Sequence, residues 1–224
     1  MNREKKALLS WSGGKDSSLS YYTAKQSGDY EILGLLTTVT EDYQRISMHG
    51  VRRELLQGQA RAMKLPLYEV MIPKQASNEI YEEKTRQILL ELRDREKISR
   101  VVFGDLFLQD IRDYREKLLG NLGMGCDFPI WGSDTKDLTK YFIESGFKAI
   151  ICCVDPSKIG SEFCGREFDS KFLSELPQKV DPCGENGEFH TFVYDGPLFQ
   201  KKIDVKVGGI VEIDGFCFAD ILPA

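Results

Sequence analysis

The sequence predicts an α/β protein, a doubly wound parallel sheet followed by a second, smaller α+β domain. Three observations carry this. Over the first half, short near-continuous apolar runs alternate with helical stretches, as strands covered on both faces do. After about Gly120 a Gly-rich break, "GNLGMGCDFP", interrupts the alternation. Beyond it come turn-rich segments and a tail, "KKIDVKVGGIVEIDGFCFADI", whose apolar and polar residues alternate like antiparallel strands. The boundary is set between residues 122 and 123.

The elements run in order along the chain. "ALLSW" (Ala7–Trp11) reads as a strand and is followed by a helix from about Ser17 to Gln26. "ILGLLTTV" (Ile32–Val39) is a second strand and "VRRELLQGQARAMK" (Val51–Lys64) a second helix. "LYEVMI" (Leu67–Ile72) precedes a long charged helix, "SNEIYEEKTRQILLELRDREK", whose wide apolar stripe suits it to covering a sheet. "RVVFGD" (Arg100–Asp105) is a fourth strand, followed by helical "FLQDIRDYREKLLG". Right-handed crossovers would make these a doubly wound domain. In the second domain "FPIW", "DLTKYFIESG" and "FKAIICCV" read as strand, helix and strand.

Composition narrows the class. With 42% apolar and 29% charged residues, the 224-residue chain has the balance of an ordinary soluble protein. Its net charge of −5 argues against broad nucleic-acid binding. No apolar run reaches the ~20 residues of a membrane span. The charged start "MNREKK" is unlike a secretory signal, so the expected location is the cytoplasm. Six cysteines form no C-x-x-C pair, and with two histidines they do not suggest structural zinc; Cys183 and His190 alone could approach a metal.

Sheets of this kind bind ligands beyond the carboxyl ends of their strands. That rule selects Ser12–Ser18, Thr37–Thr40, Ile72–Lys74, and Gly104–Asp105 with the residues just after them. The first is "SWSGGKDSS" (Ser10–Ser18), where helix N–H groups and the dipole favour an anion. Gly13 and Gly14 allow close backbone approach and positive φ. Ser12, Ser17 and Ser18 bring hydroxyls and Lys15 a mobile charge. Asp16 would repel a phosphate without a cation between them, which points to a bridging Mg²⁺. The plain alternative is a serine-rich helix cap.

The glycine spacing is not that of the Walker loop. It resembles the S-G-G-x-D-S signature of the PP-loop, or N-type, ATP pyrophosphatases. That resemblance implies ATP held through its β,γ-diphosphate by Ser10, Ser12, Gly13, Gly14, Lys15, Asp16, Ser17 and Ser18, with cleavage at the α-phosphate. The adenine is expected near Thr37, Thr38 and Val39.

"GDLFLQDIRDYRE", "FPIW" and above all "GENGEFHTFVYDGP" resemble the ATP-binding family that includes diphthine–ammonia ligase, over nearly the whole chain. The resemblance implies a PP-loop domain (1–122) and a family-specific acceptor domain (123–224). It implies ATP-dependent amidation of a carboxylate by ammonia, with AMP and pyrophosphate formed. The family's acceptor is diphthine on translation elongation factor 2. The ligases generally read "EGGE", an aromatic residue and "ET"; here Phe189 keeps the aromatic while Asn186 and His190 depart. The acceptor therefore stays open: diphthine, or another metabolite or protein carboxylate.

Individual residues are weighed against plainer roles. Gly104 and Asp105 close a strand, and Asp105 could position Mg²⁺, acceptor or ammonia, or simply cap a helix. Arg112, Arg115 and Glu116 share a helical face; the arginines could hold a carboxylate bidentately, or form a solvated pair with Glu116. Glu185, Glu188, His190 and Thr191 could bind ammonium, orient the acceptor or hold Mg²⁺, and His190 could supply a base near neutrality. The alternative there is a hairpin bent at Gly184 and Gly187. His49 is read as a phosphate or acceptor contact or a surface residue, and Trp131 as core packing, with shaping of the acceptor pocket as the alternative. Lys15, Asp16, Asp105, Glu188 and His190 form the expected catalytic set. A tRNA-modifying PP-loop enzyme and a non-catalytic ATP sensor are the rival readings. A homodimer is left open.

Overall fold

The computed structural model describes residues 4–46 and 50–224, and the described chain forms two units. The first takes in residues up to Ser12, Asp16–Gln44 and Lys64–Gly132. Its sheet contains β1 (Lys5–Ser10), β2 (Tyr30–Thr40), β4 (Leu67–Ile72), β5 (Arg100–Val102) and β6 (Gly125–Asp127). These pair in parallel in the order β4, β2, β1, β5, β6. Ala7, Leu8 and Leu9 of β1 are fully buried, as expected of a central strand with both faces covered. The chain builds the sheet outward from β1 in one direction, then returns to add β5 and β6 on the other side. The carboxyl ends of β1 and β5 therefore flank the switch point, where doubly wound sheets hold ligands.

Helices α1 (Lys15–Ser27), α3 (Asn78–Glu96) and α4 (Gln109–Gly120) follow β1, β4 and β5. Leu89 and Leu92 of α3 and Leu119 of α4 join Leu8, Val70, Val101 and Phe103 in one core. Ser77 caps α3 by accepting the Ile80 N–H at 3.4 Å.

The second unit contains Gly13–Lys15, the stretch Arg45–Met63 and Ser133–Ala224. Its sheet has β7 (Lys148–Val154), β8 (Phe189–Asp195), β9 (Val205–Ile213) and β10 (Phe216–Pro223), all pairings antiparallel, in the order β8, β7, β10, β9. The alternating tail is thus a hairpin of β9 and β10. Helices α5 (Thr135–Glu144) and α6 (Ser170–Glu175) begin at Asp134 and Asp169, whose carboxylates accept the Lys136 and Phe172 N–H groups. Phe142, Phe168, Phe172 and Phe189 pack ring against ring at centroid separations of 5.3–6.1 Å. The short strand β3 (Arg45–Ile46) and helix α2 (Arg53–Met63) also belong here, although the sequence places α2 in the parallel-sheet domain. α2 joins this unit because its buried side places Gln59 against β8 and because Gln200 N–H bonds the Ala62 carbonyl.

Two local expectations need correction. "FPIW" is a turn, and the strand is Gly125–Asp127, just before it. The Arg100 guanidinium bonds the Cys126 carbonyl and the Asp127 carboxylate, holding β6 against β5, while Pro129 has no N–H to donate to a ladder. α1 begins at Lys15 rather than Ser17, for a reason that lies at the candidate site. No helix among the described residues is long and apolar enough to cross a membrane.

Candidate active site

Gly13 adopts φ +78°, a conformation that only glycine takes without strain, and so turns the chain from β1 into α1. Its carbonyl accepts two hydrogen bonds, from the Val193 N–H at 2.9 Å and from Gln59 Nε2 at 3.0 Å. Gln59 also donates to the Val193 carbonyl at 2.7 Å. Two residues on, the Lys15 N–H donates to Thr191 Oγ1 at 3.0 Å. This hydroxyl caps a first-turn amide from far along the chain, which explains why the helix starts two residues early. Lys15 is 2% exposed, and its Nζ lies 5.8 Å from the centre of the Phe189 ring. The aromatic of the C-terminal motif thus backs the lysine of the N-terminal one.

Within the first unit, Ser12 Oγ and Ser17 Oγ are 3.2 Å apart and hydrogen-bonded. Ser17 and Ser18 are buried. A Cβ on Gly104 would lie 2.8–2.9 Å from the Asp16 carbonyl group and the Ser17 nitrogen. Gly104 therefore has a steric duty, to let the end of β5 meet the first turn of α1. Asp105 pairs with Arg115, its Oδ1 accepting from Nη2 at 3.1 Å and its Oδ2 lying 2.8 Å from Nε. The Arg115 guanidinium also stacks on Phe103 at 4.3 Å. Arg112 bonds Glu116 at 2.8 Å and lies against Phe128 and Trp131, 4.9 and 4.8 Å from their ring centres. At the end of β2, Thr37 and Val39 are buried and Thr38 is half-buried; Thr37 Oγ1 has no hydrogen-bond partner among the described residues.

The C-terminal motif bends at Gly184 and Gly187, at φ +70° and +77°, before entering β8. Glu188 is 4% exposed, and its carboxylate accepts the Asp181 N–H at 3.1 Å, the Asn186 N–H at 2.9 Å and Asn186 Nδ2 at 3.2 Å. The Glu185 N–H donates to Asp181 Oδ2 at 2.9 Å. The acid at Glu188 is thus the hub of its own loop, and Asn186, which departs from the glycine of the ligases, adds one of the three donors through its side chain. His190 is half-buried in β8, opposite Cys153. His49 lies outside the described residues. No group of three or more His, Cys, Asp or Glu side chains among the described residues could hold a metal ion.

The structure brings Ser12, Asp16, Ser17 and Ser18 together with Gly104 in one unit, and Gly13, Gly14 and Lys15 together with Thr191 in the other. Gln59 escapes sequence reasoning. In an amphipathic helix a glutamine reads as surface, and only its partners on Gly13 and Val193 reveal its use.

Residues 5–126 match the model of the diphthamide synthase N-terminal domain and residues 134–220 that of its C-terminal domain. The chain is 29% identical to a diphthine–ammonia ligase of Mus musculus over 94% of its own length and 86% of the relative's. It is 28% identical to those of Homo sapiens and Danio rerio, again over 94% of its length and over 86% and 90% of theirs. Both domain models fall on the elements described above, in order and over most of the chain, so the protein belongs to the diphthamide synthase family of amide-forming ligases.

Proposed function

We propose that the protein uses ATP to activate a carboxylate and transfers the acyl group to ammonia, leaving AMP and pyrophosphate. The observation that carries this reading is the Ser12–Ser18 turn: a glycine at positive φ, buried serines and a lysine at the start of α1, beside the switch point of a parallel sheet. In this reading a carboxylate oxygen of the acceptor attacks the α-phosphorus, and the bond to the bridging oxygen of pyrophosphate breaks. Ammonia then attacks the acyl carbon, the carbon–oxygen bond to AMP breaks, and the nitrogen sheds its extra proton. The chain's task is to hold the polyphosphate and orient the attacking oxygen.

Ser10, Ser12, Gly13, Gly14, Lys15, Asp16, Ser17 and Ser18 take the β,γ-phosphates, and Thr37, Thr38 and Val39 the adenine. A single carboxylate, Asp16, suits Mg²⁺, which is usually held by one or two carboxylates together with substrate phosphates and would supply charge neutralisation there. Gly104, Asp105, Arg112, Arg115, Glu185, Glu188, His190 and Thr191 serve the acceptor and ammonia. Residues 1–122 carry the nucleotide half, together with the acceptor contacts at Gly104, Asp105, Arg112 and Arg115, and 123–224 carry the rest of the acceptor half. Diphthine is the first acceptor to try, because the relatives are named for it, and elongation factor 2 is the proposed carrier. A sulfur-carrying cysteine is disfavoured: burial pushes the Cys126 and Cys153 thiols up to about 12 and Cys164 to about 11, away from thiolate formation.

The test is pyrophosphate release from ATP with ammonia and a diphthine-bearing elongation factor. Release that requires both supports the ligase. ATP binding without release, across protein and small-molecule carboxylates, would favour a sensor.

A further inference from the structure

We propose that Gln59 is a positioning residue that latches the Gly13–Gly14 peptide in the orientation needed to bind the β,γ-phosphates of ATP; this rests on the nucleotide reading of Ser12–Ser18. An anion-binding turn works only if its N–H groups face the ligand and its carbonyls face away. A Gly–Gly peptide is the least restrained link in such a turn, because neither residue has a Cβ to resist rotation of the peptide plane. All described peptides are trans, so the Gly13 carbonyl and the Gly14 N–H point to opposite sides of one peptide unit. Fixing the carbonyl therefore fixes the N–H.

The Gly13 carbonyl is fixed twice, by the Val193 N–H and by Gln59 Nε2. Gln59 is fully buried, and its amide nitrogen bridges the Gly13 and Val193 carbonyls at 3.0 and 2.7 Å. A flip of the peptide would swing the Gly13 oxygen away and leave a buried amide donor unsatisfied. Gln59 also fills the space beside Gly13: a Cβ there would meet its Oε1 at 2.8 Å. Thr191 holds the N–H that follows, that of Lys15, so the turn is restrained on both sides of Gly14. A hydrophobic residue of the same length would fill the helix position and supply neither bond.

The experiment compares wild type and Gln59→Met by titrating ATP, pyrophosphate and AMP with Mg²⁺ present, and by measuring the KM for ATP and kcat. AMP lacks the β,γ-phosphates, so its affinity separates a misaligned phosphate turn from general damage. Binding of ATP and of pyrophosphate should weaken by about tenfold, the scale of one lost buried hydrogen bond. AMP affinity should stay unchanged, and the loss should appear in KM rather than in kcat at saturating ATP. Gln59→Glu, which removes the donors and sets an acid against two carbonyls, should be worse than Gln59→Met. Equal loss for AMP and ATP, or no loss at all, overturns the latch while leaving the ligase reading standing. A wild-type protein that binds neither ATP nor pyrophosphate overturns both. If Gln59→Met does not fold, hydrogen exchange on wild type decides: a Val193 amide, bonded to the Gly13 carbonyl, that exchanges slowly before nucleotide is added supports a pre-set turn, and fast exchange that slows only with ATP overturns it.

Discussion

The turn at Ser12–Ser18 and the loop at Asp181–Glu188 are both rich in glycine and polar side chains, yet their hydrogen bonds come from different sources. The first is braced by distant residues: Gln59, Thr191 and Val193 reach it from α2 and β8. The second is braced largely by its own acids, Asp181 Oδ2 taking the Glu185 amide and Glu188 taking three donors from Asp181 and Asn186. A turn braced from outside takes its conformation from the elements that reach it. A loop that spends its carboxylates on its own amides has already satisfied much of its acidity. Glu188 is therefore first a structural residue, and any part it plays with the acceptor is exercised from within that network.

Four substitutions sharpen or break this contrast. The largest effect belongs to Gly104→Ala. The new methyl meets the backbone of Asp16 and Ser17, which has no flexible side chain to yield, so stability should fall by about 1–3 kcal/mol and ATP affinity with it. Thermal unfolding and nucleotide titration together read this; undiminished ATP affinity would mean that the start of α1 is not a phosphate site. Next, Glu188→Gln removes an acceptor from the 181–188 loop. Denaturant unfolding should show a loss of about 1–2 kcal/mol, while ATP affinity changes little. A parallel collapse of ATP binding would erase the distinction between the two segments.

Asp220 supplies a third case, an acid held from outside. Arg45 and Arg52 donate to it at 2.8–3.0 Å and hold its carboxyl down at about 2 from the ordinary 3.8. Because the folded value is the lower one, its contribution is present above the ordinary value and is lost as pH falls through about 2. Asp220→Asn should cost roughly 1 kcal/mol at neutral pH, after allowance for solvent screening, and should flatten the acid limb of the stability curve. An unchanged acid limb would show that the two arginines do not grip the carboxylate in solution. Smallest of all, Glu116→Gln breaks only an exposed i,i+4 pair with Arg112 and should move stability by less than about 0.5 kcal/mol in urea unfolding. A larger loss would mean that Arg112 depends on Glu116, and not on Phe128 and Trp131, for its position.

Much of the fold is legible because most strands of the parallel sheet announce themselves by a buried apolar run. The run Leu67–Ile72 coincides with its strand to the residue, and the hairpin at the tail comes from simple alternation. The Ser12–Ser18 turn is legible as a motif, since glycines, serines and a lysine stand together between an apolar strand and a helix. What stays hidden depends on partners far away in sequence. The early start of α1 needs Thr191, the place of α2 needs Gln59 and Val193, and the duty of Gly104 needs the backbone of Asp16. The displaced strand near "FPIW" is hidden for a similar reason. Gly125–Asp127 has little apolar character of its own and is held by the side chain of Arg100.

The Thr191 brace also sets an order of assembly. Translation delivers Lys15 first and its hydroxyl partner 176 positions later. A nascent chain that has produced the whole parallel sheet still lacks the hydroxyl that accepts the Lys15 amide. If Ser12–Ser18 holds ATP as proposed, nucleotide competence should arrive when β8 leaves the ribosome, and not grow with the first domain. Unfinished chains would neither capture ATP nor be stabilised by it.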